Sequence, residues 1–161
     1  MKRVILLLMA VFFTMVSAKT LTDPEKQEML KQFSVFQKAL ESKDGNTLKG
    51  MIKFPILLVE HGRDYDESIK EKDFLDELDD VAEGLKGIAY MKVNTENNSV
   101  SDYLEEGFRC DLKYTGSFKE NELHIIAELV TIEGAPCDYY KIYKFKMYKN
   151  KLKLFDAEIK E

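Results

Sequence analysis

The chain has 161 residues, 33% of them charged and 45% hydrophobic, with 8 Gly and 3 Pro. That is the balance of one globular domain, and it excludes a disordered tail, a collagen-like repeat or a Pro-rich segment. Its 29 acidic residues outnumber its 24 basic ones, for a formal net charge of -5, so the concentrated Lys/Arg surface that binds a phosphate backbone is absent and no nucleic-acid partner is expected.

Lys2 and Arg3 precede an almost wholly apolar run, Val4 to Phe13, and Val16-Ser17-Ala18 places small side chains where a signal peptidase inspects them. The pattern predicts a cleaved signal peptide over residues 1–18. Its apolar run of about ten residues falls short of the roughly 20 that cross a bilayer, so no lasting membrane anchor is expected. No Cys follows the small residues to carry a lipid, so the chain does not read as a lipoprotein. The expected mature chain, residues 19–161, is one secreted or periplasmic domain, and loss of Lys2 and Arg3 takes its net charge from -5 to -7.

Thr22 or Asp23, then Pro24 and Glu25, form a helix start: an oxygen cap, a proline in the first turn and acidic charge at the positive end of the dipole. Met29, Leu30, Phe33, Phe36 and Leu40 recur at helical spacing, predicting a first helix from Pro24 to Glu41. Lys43-Asp44-Gly45-Asn46 breaks it, Thr47 to Ile52 forms a short second helix, and Phe54-Pro55 ends that one. Ile56 to Val59 reads as a short strand, followed by the polar turn Glu60-His61-Gly62-Arg63-Asp64. Phe74, Leu75, Leu78, Val81, Ala82 and Leu85 then trace one face of a third helix that Gly87 terminates, with Asp73, Asp76, Glu77, Asp79, Asp80 and Glu83 on its solvated face. From there the pattern turns to strands: Ile88–Val93, Gly107–Phe118, Leu123–Ile132, Tyr139–Tyr148 and Leu152–Ile159. Leu123–Ile132 is apolar on both faces and reads as a central strand. Helices followed by an antiparallel meander make an α+β fold, N-terminal helices packed on a sheet of about five strands.

Cys110 and Cys137 are the only cysteines, and in an exported chain they suggest one disulfide. With turns at Glu120-Asn121 and Gly134-Ala135, Cys110 stands beside Thr131 and Cys137 beside Ile132. Their separation is then roughly 9.6 Å, two strand spacings, against the limit of about 7 Å between Cα atoms for a disulfide. A bond therefore requires the Glu133–Pro136 loop to leave the ladder. Two buried thiols are the alternative.

The segments Phe33 to Leu40, Lys43 to Leu48, Ile52 to Ile56 and Ile69 to Leu75, taken in order, resemble the opening of small exported members of the nuclear transport factor 2-like superfamily, also called SnoaL-like or cystatin-like cone domains. The resemblance covers most of residues 25–160 and rests on pattern, with no diagnostic motif. It implies a curved antiparallel sheet wrapped around its helices, with an apolar pocket at the open end and, in many members, a homodimer through the outer sheet face. Members include isomerases, dehydratases and non-catalytic binding domains, so fold alone does not name a reaction. The Gln-x-Val-x-Gly signature of cysteine-protease inhibitors is missing.

His61, His124, Cys110 and Cys137 are the only imidazole or thiol ligands, and none stand in paired spacing. Asp64-Tyr65-Asp66 opens like a calcium loop, but Ile69 and Leu75 occupy the positions that need Gly and Glu. No metal and no cofactor is expected. Phosphate-loop, Gly-x-Ser-x-Gly and zinc-protease motifs are likewise missing. The candidate ligand-binding residues are His61, Arg63 and Asp64 in the polar loop, His124 on the central strand, and Tyr143 among the aromatics of the last two strands. His61 beside Asp64 is the catalytic alternative, a histidine poised as a general base. An exposed loop and an ordinary strand histidine are the plainer readings. Lys141, Lys144, Lys146, Lys149, Lys151 and Lys153 read as a solvated face that blunts a sheet edge, or as a patch for an anionic ligand. Asn97-Asn98-Ser99 fits a glycosylation acceptor, a match frequent by chance.

Three functions follow as expectations. The first is an exported, non-catalytic protein that binds an apolar or amphipathic ligand, an envelope component or a protein partner at the open end of its sheet. The second is a cofactor-independent isomerase or dehydratase, and the third an immunity-type protein that docks a basic partner on its acidic helix.

Overall fold

The computed structural model describes residues 20–57, 68–107, 110–131 and 140–160. The expected signal peptide and the loop holding His61, Arg63 and Asp64 lie outside the described residues. Helix α1 (Asp23–Glu41) starts at Thr22. The Thr22 backbone N–H and hydroxyl both donate to the Glu25 carboxylate at 2.8 Å, and so tie the entry of the chain to the first turn. After α1, Asp44 accepts from the Thr47 amide at 3.1 Å and caps α2 (Gly45–Met51). The Phe54–Pro55 bond is cis, and the short strand β1 (Ile56–Leu57) that follows pairs antiparallel with β2 (Ser68–Ile69).

The third helix differs from its expected course. Lys70 to Glu77 forms successive turns, and α3 (Leu78–Gly84) begins only at Leu78. Phe74 explains the delay: it is fully buried, with its ring edge-on to Phe54 at 5.1 Å, so tertiary contact sets the path of these turns. Gly87 does not end a helix. It lies inside α4 (Lys86–Tyr90), and the expected strand Ile88–Val93 is helical up to Tyr90. Buried Leu85, Ile88 and Met91 recur three apart, a helical spacing, and the Gln37 amide of α1 donates to the carbonyls of Ile88 and Met91 at 2.8 Å each. Only β3 (Val93–Asn94) remains of that strand, and it pairs with β4 (Ser99–Val100) across the turn that carries Asn97 and Asn98.

The main sheet is antiparallel with five strands in sequence order: β5 (Tyr103–Glu105), β6 (Cys110–Lys119), β7 (Glu122–Thr131), β8 (Tyr140–Tyr148) and β9 (Lys151–Lys160). Lys149 and Asn150 both have positive φ, as a two-residue hairpin turn requires. Cys110 pairs with Thr131 as expected from the first turn. The second hairpin is one residue off. Cys137 beside Ile132 implies Glu128 opposite Lys141, whereas Glu128 pairs with Tyr140.

Side chains alternate across these strands. The inner face carries Leu123, Ile125 and Ala127 of β7, Tyr143 and Phe145 of β8, and Leu152, Leu154 and Ala157 of β9, all buried beneath the helices. Phe33 and Phe36 of α1 both meet the Phe145 ring edge-on at 5.1 Å. One core cluster links all four helices to the sheet, which is the α+β architecture expected from the order of elements. Among the described residues no helix is long and apolar enough to cross a membrane.

Candidate functional site at one end of the inner sheet face

The inner face changes chemistry along its length. Beneath α1 it is wholly apolar: Phe118, Leu123, Phe145 and Leu154 form one cross-strand row. The next row is Gly116, Ile125, Tyr143 and Ala157, and the row beyond it runs through Tyr103, Tyr114, Ala127, Lys141 and Ile159. Three tyrosines and a lysine thus stand in these two rows, where strand alternation calls for apolar side chains.

Helices α3 and α4 close over these rows. The Tyr143 hydroxyl donates to the carbonyl of Gly84, the last residue of α3, at 3.1 Å. The Tyr114 ring packs against Gly87, where an added Cβ would stand 2.0 Å from it. Gly87 is present because α4 approaches this ring more closely than any side chain allows. Tyr103 continues the aromatic run outward to Tyr90, with ring centroids 6.1 Å from Tyr114 and 5.4 Å from Tyr90.

Lys141 is 3% exposed. Its ammonium stands 5.1 Å from the centroid of the Tyr143 ring, within cation–π range. Burial disfavours the charged form and pushes its pKa from 10.5 down to about 8. The group is cationic at neutral pH and loses its proton far more readily than a surface lysine. The chemistry on offer is an ammonium that can hold an anionic head or release a proton, set against phenol rings and the two small side chains Ala127 and Ala157.

Sequence reasoning placed Lys141 with the solvated lysines of the C-terminal strands, and the structure corrects this. Lys144 and Lys146 do lie on the outer face. Lys144 bonds Asp156 at 3.0 Å and also Glu158, and Lys146 bonds Glu122 at 3.2 Å. Lys141 has the parity of Tyr143 and Phe145, and so points inward with them. That parity was the available signal.

Of the expected site residues, Tyr143 is on the inner face, and His124 is on the other. Ile125 is the residue opposite Tyr143, so its neighbour His124 points outward. There its Nε2 lies 2.9 Å from Glu122, and its Nδ1 is buried with no hydrogen-bond partner among the described residues. Burial pushes the Glu122 carboxyl up, but hydrogen bonds from His124 and Lys146 outweigh it and hold the group below the usual carboxylate range. The sheet therefore keeps His124 and Tyr143 apart. Cys110 is disulfide-bonded, and Cys137 lies outside the described residues, so the pairing of the two belongs with the proposals below. Among the described residues no group of three or more His, Cys, Asp or Glu side chains forms a metal site.

No protein-family model matches the chain, and no curated protein is significantly similar to it.

Proposed function

We propose that the protein is an exported, non-catalytic binding protein of the nuclear transport factor 2-like kind, cleaved after Ala18 and bridged between Cys110 and Cys137, which holds an apolar or amphipathic ligand at the Lys141 end of its inner sheet face. The observation that supports this reading is the buried group of Lys141, Tyr143 and Tyr114 beneath α3 and α4. An apolar lining with a few convergent polar groups and a perturbed titratable side chain is the usual make-up of a small-molecule site.

Native mass spectrometry of protein purified from its exported compartment tests the reading, with a denatured spectrum of the same sample. The expected outcome is a chain that begins at Lys19, lacks two hydrogens, and carries a small molecule in the native spectrum. A chain of full length sinks the export reading. A bare native chain that also takes up no apolar dye from solution sinks the binding reading.

A further inference from the structure

Residues 139–155 hold six lysines and no Asp or Glu, in a chain that is acidic overall. The fold divides these lysines. Lys141 is buried, and Lys144 and Lys146 are held on the outer sheet face by Asp156, Glu158 and Glu122. Lys149, Lys151 and Lys153 gather at the β8–β9 turn, where none of them forms an ion pair among the described residues. Lys153 donates to the Gly50 carbonyl, a neutral partner that leaves its charge uncompensated. In the register of the two strands Lys153 stands directly across from Lys146, and Lys151 across from Tyr148. Like charges directly opposite one another destabilise a sheet. Tyr148 is 63% exposed, the most exposed large apolar side chain among the described residues, with the Lys149 ammonium 5.5 Å from its ring centroid. Protection of a sheet edge accounts for lysines on β9, the last strand of the sheet. It calls for neither a bare aromatic ring beside them nor a like-charged pair.

The acids near this turn are engaged. The Gln32 amide donates to the Glu28 carboxylate at 2.8 Å and to the Asn150 carbonyl at 3.1 Å, and Glu122 bonds both Lys146 and His124. The neighbouring β6–β7 turn adds one charge of each sign, Lys119 and Glu120. Helix α3, with Asp79, Asp80 and Glu83, ends at the Gly84 carbonyl that Tyr143 reaches, five residues back along β8. The tip itself is a two-residue turn with positive φ at Lys149 and Asn150, a convex point at the end of two long strands. A flat surface can meet such a point, whereas a peptide or polymer chain needs a cleft to lie in. Tyrosine suits the headgroup level of a bilayer, ring in the apolar margin and hydroxyl in water, and lysine stems extend their ammonium groups to lipid phosphates. We infer that the β8–β9 tip is a second interaction surface, separate from the ligand site proposed above, that docks reversibly on an anionic lipid surface through Tyr148, Lys149, Lys151 and Lys153.

Flotation of the chain from Lys19 onward with phosphatidylcholine vesicles, with and without one third phosphatidylglycerol, tests this. The protein is expected to float with the anionic vesicles alone and to be released at high ionic strength, because salt screens such docking. K149N/K151Q is expected to lower partition onto anionic vesicles about tenfold or more, and Y148S to lower it severalfold. Asn tolerates the positive φ at position 149, so both variants are expected to keep the wild-type melting temperature. Flotation with neither vesicle, equal flotation with both, or anionic binding that survives K149N/K151Q overturns the inference. Retention on heparin beads without flotation assigns the tip to an anionic glycan and overturns it as well. The wild-type comparison needs no variant to fold, and none of these outcomes bears on the ligand reading.

Discussion

Lys141 ties stability to pH in a direction unlike that of a surface lysine. Its pKa is 10.5 when free and about 8 in the fold, so between those values the unfolded chain holds a proton that the folded chain has released. Stability therefore rises with pH through this window, and below it the full penalty applies, on the order of 3 kcal/mol. Urea unfolding of the wild type and K141M from pH 7 to pH 10 checks this. The wild type is expected to gain on the variant by that order as pH rises, and curves that stay parallel count against a desolvated ammonium. Gly87 is the other residue where one group decides the outcome. An added Cβ meets the Tyr114 ring at 2.0 Å, and Tyr114 is itself buried, so G87A is expected to cost about 1–3 kcal/mol by overpacking. A chemical denaturation midpoint equal to that of the wild type would show that α4 yields without penalty.

At the scale of elements, the long ones were legible and the short ones were not. Helix α1 was predicted from Pro24 to Glu41 and runs Asp23–Glu41, because its cap, its proline and five apolar residues at helical spacing all point one way. The four long strands were read to within a few residues, since alternation over ten positions leaves few other arrangements. Residues 70–100 went differently. Ile88 to Val93 is rich in apolar side chains, a composition that suits a strand or a buried helix turn equally, and burial of Leu85, Ile88 and Met91 against α1 selects the helix. The β3–β4 hairpin and the edge strand β5 are only two or three residues each, too short for a period to register. Val100 nevertheless packs on Gly116, where an added Cβ would come within 2.7 Å of it, so this hairpin is docked on β6.

For the whole molecule, the inner-face core has no internal boundary. Phe33, Leu48, Phe74, Val81, Ile88, Leu123, Phe145 and Leu154 belong to one cluster, and Phe145 is gripped by two rings of α1. Helices and sheet are therefore expected to melt as a unit, with far-UV and near-UV circular dichroism giving coincident transitions, and F145A is expected to lower both by the same amount, about 3–5 kcal/mol. A near-UV transition that precedes the far-UV one would mean that the sheet and helices separate. The sequence by itself determined the class of fold, the order of helices before strands, the span of α1 and of the four long strands, and the placement of Cys110 beside Thr131, because each of these rests on local periodicity and turn chemistry. It put His124 and Tyr143 in one candidate site and Lys141 on a solvated face. Tertiary structure decided otherwise. Cross-strand register sets which residues share a row, helix packing sets which face is covered, and both arise from contacts between residues far apart in the chain that no local pattern encodes.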